Sequence, residues 1–297
     1  MQVMGISWNV QDDGSFLSGL RVWNGNDSPE FIPIVPGENI SWVFRGPQKC
    51  IGSIDSSLKS VRCPEDSIIL QRGMQRCGPC SAMDFVDPCI RCDGRNCMAS
   101  PERRAQCDKT DYAIYLVVFN DETLKIGVSS EKRVRTRWVE QGADYGGILR
   151  LVQGGINARM IEDRLGKNPK AAKQVRGERK IRGLLDNLEI DSAQTIVDDF
   201  LIEVEDAELG TTVDLEDLSR YYSLSSAEAK PNPWRKRSEK IDDRPLLGKV
   251  VGMKGSLLVT SLGSSYTVID LKQVIGYSLD YDEDITMVTQ SGLMDFF

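Results

Sequence analysis

The chain has 297 residues, enough for about two domains of ordinary size. It holds 8 cysteines and no histidine, which excludes a Ser-His-Asp triad, a Cys-His nucleophile pair and any His-based metallohydrolase site. The formal net charge of -7, taken as an average, argues against a nucleic-acid partner.

The longest clean apolar run, Ala113 to Phe119, is far short of the ~20 residues that cross a bilayer, so no membrane association is expected. The N-terminus has no basic segment ahead of an apolar core. A secretory leader is therefore not expected, and a cytoplasmic, reducing setting is.

Residues 1–49 form a β-rich N-terminal segment. Short apolar stretches, Ile6–Val10 and Ile40–Phe44, are separated by Gly, Asp and Asn and predict strands and turns.

All eight cysteines fall between Cys50 and Cys107, which sets residues 50–111 apart as a Cys-rich module. Cys77, Cys80, Cys89 and Cys92 read C-x2-C-x8-C-x2-C. Two-residue spacing turns both thiolates of a knuckle toward one tetrahedral ion, with Zn–S near ~2.3 Å, so these four make the first candidate metal site. Cys50, Cys63, Cys97 and Cys107 then form a second set by arithmetic, although pairing is not readable from spacing alone. Structural zinc, an iron–sulfur cluster, and disulfides or a redox Cys77–Cys80 pair all remain open. A reducing compartment weighs against the disulfides.

Residues 112–190 predict an α/β core. Tyr112 to Phe119 and Leu124 to Val128 suit a β-hairpin turned by Asn120 to Thr123. A four-residue loop pairing Phe119 with Leu124 would put Tyr115 and Lys125 on opposite faces; a three- or five-residue loop, or a bulge, brings them together. Glu131 to Gln141 suits a helix, with Ser129 and Ser130 as caps and Gly142 as the stop. Ile156, Met160, Ile161 and Leu165 keep helical spacing, and a further helix is predicted over about 169–188.

Residues 191–245 form an acidic connector and linker. Leu184 to Ser219 holds twelve acidic residues and no Lys or Arg. Residues 223–243, with Pro231, Pro233 and the basic run Arg235 to Arg237, predict a tether. Residues 246–297 return to short Gly-punctuated β runs, a small C-terminal β-rich domain that the N-terminal strands could complete.

The order Ala113-Ile-Tyr115, Lys125-Ile-Gly127, Arg137 on a helix and Glu162 on a later helix resembles the GIY-YIG nuclease superfamily. Ala113 stands for the first Gly of that pattern and Lys125 for the second Tyr. Further elements extend the likeness over about residues 40–170. They are Phe44-Arg-Gly46 with Cys50-Ile51, the ordered cysteines from Cys77 to Cys107, Ile114-Tyr-Leu116, Lys125-Ile-Gly-Val128 and Thr136-Arg-Trp-Val-Glu-Gln-Gly-Ala143. Together they are similar to a family catalogued as domain of unknown function 2797, which pairs a Cys-rich module with a GIY-YIG-like core. The expected fold is therefore α+β: a GIY-YIG-like core of β-hairpin plus helices, a Cys-rich zinc module, and small β-rich terminal parts.

The superfamily resemblance implies a chemistry. Tyr115 would be the base or a base relay, Arg137 would stabilise transition-state charge, and Glu162 would hold Mg²⁺. Lys125, Arg133 and Arg135 would contact phosphate. Gly127 reads as backbone geometry rather than chemistry.

Charge by segment fits such a site. Residues 125–182 contain 15 basic and 6 acidic residues, a local +9, while the remainder stands at -16. A basic stripe over a phosphate site is the footprint of a nucleic-acid contact; pairing with the acidic connector is the plainer alternative. The expected function is a zinc-stabilised nucleic-acid-binding protein with a degenerate core, DNA or RNA being its partner. Its alternatives are an active Mg-dependent endonuclease and a non-nucleic-acid or iron–sulfur redox protein. Oligomeric state is not readable. The nuclease alternative requires Tyr115, Arg137 and Glu162 to share one cleft.

Overall fold

Short runs rich in Val, Ile, Phe and Trp, parted by turn residues, make the strands that open the chain: β1 (Gln2–Val10), β2 (Phe16–Trp23), β3 (Glu30–Pro33) and β4 (Asn39–Arg45). The computed structural model describes residues 1–281 apart from 26–27, 72, 205–208, 210–211, 226, 228 and 237–238. The Cys-rich stretch follows, with β5 (Ser53–Ile54), β6 (Ser60–Val61) and three short helices, α1 (Gly78–Met83), α2 (Asp87–Ile90) and α3 (Pro101–Asp108). The central core runs β7 (Asp111–Val118), β8 (Leu124–Ser130), α4 (Val134–Gln141), β9 (Tyr145–Gln153), α5 (Gly155–Leu165), α6 (Gly177–Arg182), α7 (Ile190–Val204) and β10 (Glu216–Asp217). The chain then gives β11 (Asn232–Pro233), β12 (Arg244–Lys254), β13 (Leu257–Leu262), β14 (Ser265–Asp270) and β15 (Ser278–Tyr281).

The fold is α+β. Among the described residues, nine strands form one sheet in the order β11-β14-β13-β12-β4-β15-β1-β2-β3, and four form another in the order β10-β9-β7-β8. The two terminal β parts are thus one sheet: β4 lies between β12 and β15, and β15 pairs with β1. Residues 282–297, the end of the expected C-terminal domain, lie outside the described residues.

Strand β7 explains why its sequence is an unbroken apolar run. Ala113, Tyr115 and Val117, with Phe119 beyond the strand, enter one core with Trp8, Trp42, Phe44 and Trp138. Ile114, Leu116 and Val118 enter the other with Ala158, Leu165, Val197 and Phe200. A strand buried on both faces has no polar side to alternate with.

The two sheets meet at a polar joint. Lys254, ending β12, donates to the Asp144 carboxylate at 2.5 Å, with side-chain exposures of only 8% and 6%. Asn120 N–H donates to the other Asp144 oxygen at 2.8 Å, and the Tyr222 hydroxyl donates to Ala143 O at 2.5 Å. The turns at Gly142 and Gly255 touch backbone to backbone; a Cβ on Gly255 would come within 2.8 Å of Gly142 N.

Three expectations change. The helix over 169–188 shrinks to α6, because Ala171 bridges Leu124 at the edge of β8 and Ala172 N–H donates to Leu124 O at 2.8 Å. The tether at 223–243 is packed: Trp234 is buried against Phe44, its Nε1 donates to Pro245 O at 2.7 Å, and β11 pairs with β14. Arg237 of that run lies outside the described residues. Strand β9 was not expected; Gly146 and Gly147 sit in it because a Cβ would strike Trp138 or Val213 at 2.5 and 2.4 Å.

Lys254→Ala should destabilise the fold by about 3–5 kcal/mol, since it strands a buried carboxylate. Lys254→Met combined with Asp144→Asn, which keeps an acceptor for Asn120 N–H, should recover much of that loss. Urea unfolding followed by Trp fluorescence measures both.

Candidate functional site

The β7–β8 hairpin sets the site. Val118 pairs with Leu124, so the loop is five residues, 119–123, and Tyr115 stands opposite Gly127 and Val117 opposite Lys125. Tyr115, Lys125 and Gly127 therefore share a face. The first two short motifs converge through loop length alone. A register shift between β7 and β9 falls at Ile114/Tyr115 as well.

Gly127 is where it is for space. A Cβ there would lie 2.4 Å from the Tyr115 hydroxyl and 2.5 Å from its ring. The Tyr115 ring fills that gap and meets Trp138 edge-on at 6.3 Å between centroids. Its hydroxyl accepts from Gln141 Nε2 at 2.8 Å, and Lys125 Nζ donates to Gln141 Oε1 at 2.7 Å.

Helix α4 follows a 3-10 turn over Glu131–Arg133 and ends at Gly142, whose left-handed φ of 67° closes it. Ser129 and Ser130 end β8 instead, and the Ser130 side chain does not cap the turn. Residues 133, 137 and 141 follow one another on one face of the helix, toward the hairpin. Arg133 and Arg137 both pair with Glu140, at 2.9 and 3.2 Å. From the other side α5 brings Arg159 and Glu162, paired at 2.7 Å.

Tyr115, Lys125, Arg133, Arg137, Arg159 and Glu162 line one cleft of about 570 Å³ across β8, the edge strand, with Gln141 and Glu140 behind it. Its walls carry Arg103, Lys125, Arg133, Arg137 and Arg159 against a single carboxylate, Glu162. Burial pushes the Tyr115 hydroxyl above the ordinary phenol range, with Arg137 pulling the other way. Burial and, after it, the Arg137 charge pull the Lys125 ammonium below its usual value, and Glu162 opposes them.

The cysteines group differently from the expected pairing. The thiols of Cys50, Cys63, Cys77 and Cys80 lie within 4.8 Å of one another, close enough to hold one metal ion. The β5–β6 hairpin carries Cys50 and Cys63 to the start of α1, so the first knuckle closes on them and not on Cys89 and Cys92. Cys77 N–H and Gly52 N–H donate to Cys50 Sγ at 3.2 and 3.4 Å. Burial pushes the Cys63 thiol up, but hydrogen bonds from Ser67 and Glu65 outweigh it and lower it to about 7. Cys89, Cys92, Cys97 and Cys107 line the cleft instead. All eight cysteines are free thiols.

A family model described as protein of unknown function (DUF2797) matches residues 37–279. The chain belongs to the DUF2797 family. No curated protein and no solved structure matches it. The DUF2797 region takes in β4 to β14 and the start of β15, and with them both cysteine groups and the whole cleft.

In this DUF2797 protein the residues singled out in the sequence separate cleanly. Tyr115, Lys125, Arg133, Arg137 and Glu162 line the cleft. Arg135 does not: two residues from both Arg133 and Arg137, it falls on the other side of the helix, held by Glu216, and donates to the Tyr221 hydroxyl at 2.9 Å. Sequence reasoning missed Gln141, Arg159 and Arg103. Gln141 had a signal, since it stands four residues after Arg137 inside the Arg-Trp-x-x-Gln-Gly-Ala string.

Gly127→Ala should destabilise the protein by about 1–3 kcal/mol, because the new methyl overlaps a packed ring. Gly5→Ala, with nothing within 4 Å of its Cβ position, is the control and should be near neutral. Urea midpoints of the two variants decide it.

Proposed function

We propose that this protein binds nucleic acid, its cleft receiving the phosphate backbone and its Cys50–Cys63–Cys77–Cys80 site holding a structural zinc. One observation carries the reading: five cationic side chains and one carboxylate line a single cleft in a chain of net charge -7. Guanidinium groups match phosphate oxygens in fork geometry, and a walled cleft focuses their field. Lys125 adds a half-buried amine tied to Gln141, so it meets phosphate from a fixed position. Four thiolates complete a tetrahedral zinc shell and leave no open position, so that metal organises the fold and does not react.

A second reading, divalent-metal-dependent phosphodiester cleavage, is favoured by the convergence of Tyr115, Arg137 and Glu162 in that cleft. Each has the chemistry its resemblance implies. A tyrosine hydroxyl can accept or relay a proton, a guanidinium can stabilise charge on phosphorus oxygens, and a carboxylate can hold Mg²⁺. Ala113 and Lys125, which depart from the superfamily pattern, place this reading second.

Fluorescence anisotropy with labelled single- and double-stranded DNA and RNA tests the proposal. Binding should weaken steeply with salt, and Arg137→Ala and Arg133→Ala should each lower the log–log salt slope by about one. Arg135→Ala should leave it unchanged. No binding to any polyanion at low salt overturns the proposal. The same substrates incubated with Mg²⁺ test cleavage: products that vanish in Glu162→Ala while binding survives establish the second reading, and intact substrate removes it.

A further inference from the structure

The four cysteines left out of the first group stand together. Cys89, Cys92, Cys97 and Cys107 all line the same cleft wall. Cys92 lies within electrostatic range of Cys97 and Cys107, and Tyr112 within range of Cys107 and Cys89. The Tyr112 hydroxyl donates to Cys107 Sγ at 3.5 Å, and Arg103 Nε donates to Cys89 Sγ at 3.3 Å. Gly155, opening α5, has no room for a side chain because a Cβ would lie 2.4 Å from Cys107 Sγ.

The segment that carries them has almost nothing else to hold it. Between residues 85 and 110 only Gly94 and Ala99 are buried, while Ile90 is 66% and Met98 80% exposed. Helices α2 and α3 have four and eight residues, and neither contains a buried side chain. A stretch without an apolar core of its own needs a covalent or metal staple. Disulfides do not supply it, since all four thiols are free. Gly94 sits tight on α5, where a Cβ would meet Met160 at 2.8 Å, so whatever fixes this segment also fixes one wall of the cleft.

We propose that Cys89, Cys92, Cys97 and Cys107 bind a second zinc ion, separate from the Cys50–Cys63–Cys77–Cys80 site, and that this ion staples the α2–α3 wall of the cleft, which packs on α5 through Gly94 and Cys107. The spacing C-x2-C-x4-C-x9-C supplies one knuckle and two single ligands, the last on α3. Only the first group already has its thiols within 4.8 Å among the described residues; the second closes on its ion as it binds, with release of the thiol protons. The wall then presents Arg103 to the cleft from a fixed backbone. The proposal is independent of what the cleft binds.

Zinc analysis and native mass spectrometry of the full chain, purified under reducing conditions, test it. The wild type should carry two zinc ions. Cys97→Ser with Cys107→Ser should carry one, retained by the first site, and Cys63→Ser with Cys77→Ser should keep the other. Cobalt titration of the metal-free wild type gives a readout that needs no variant: thiolate-to-cobalt absorption should grow to two equivalents. One metal per chain, saturation at one cobalt, two zinc ions retained by Cys97→Ser/Cys107→Ser, or iron with visible cluster absorption would each overturn the proposal.

Discussion

A buried amide joins the parts of the cleft. Gln141, the last residue of α4, gives its Nε2 hydrogen to the Tyr115 hydroxyl on β7 and takes a hydrogen bond from Lys125 on β8. Its backbone oxygen accepts from Lys180 on α6 at 2.5 Å. A buried amide left without partners costs its full desolvation, so these bonds hold the helix to both strands of the hairpin. Lys180 itself feels the packing: burial first, then Lys272 and Lys125, lower its pKa to about 7. Two amines, Lys125 and Lys180, thereby meet at the C-terminal end of α4, where its carbonyls favour positive charge.

That arrangement rests on a loop length. With five loop residues Tyr115 and Lys125 share a face; with four, every side chain of β8 would turn over. The hairpin was legible from Ala113–Phe119 and from the turn residues after it, but the register was not, because Leu124 suits pairing with either Val118 or Phe119. Buried contacts that lie far apart in sequence decide it. The fit of the Tyr115 ring over Gly127 requires those two residues to face each other, and nothing near position 127 announces the ring. In the same way the strand through Gly146 and Gly147 has no local signal, because Trp138 and Val213, which lie against the two glycines, stand outside it in the sequence. Strands at the two ends of the chain read correctly as strands. Their union in one sheet was only a suggestion of composition, and pairing β4 with both β12 and β15 is settled by burial of Trp42 and Phe44.

The cysteines show a related limit. Knuckle spacing says which thiols can face one ion together, and both pairs, Cys77–Cys80 and Cys89–Cys92, keep that property. It does not say which knuckle meets which single cysteine. The chain between Cys50 and Cys63 turns through the β5–β6 hairpin and returns beside Cys77, within reach of a 3.9 Å thiol–thiol contact between Cys63 and Cys77. Asp84 locks that return: its buried carboxylate accepts from Ile54 N–H and from Val86 and Asp87 N–H, and Arg76 pairs with it at 3.2 Å. The second knuckle is then left on the far side of Asp84, facing α5.

The charge asymmetry resolves along the same lines. The acidic connector does neutralise part of the basic segment: Glu216 takes Arg135 and Glu203 takes Lys170 at 3.0 Å. Asp121 in the hairpin loop takes Arg179. All three pairs lie outside the cleft lining. Inside it, Arg133 and Arg137 share one acid, Glu140, and Arg159 has Glu162. Two arginines on one carboxylate leave a positive charge uncompensated, and both are side chains exposed enough to swing toward a ligand, at 65% and 49%. Surface ion pairs of this kind contribute about 0–1 kcal/mol, so a phosphate that offers a forked, charge-assisted contact competes with Glu140 on favourable terms. The acidic connector and Asp121 thus take up charge outside the cleft, while inside it three arginines share two carboxylates.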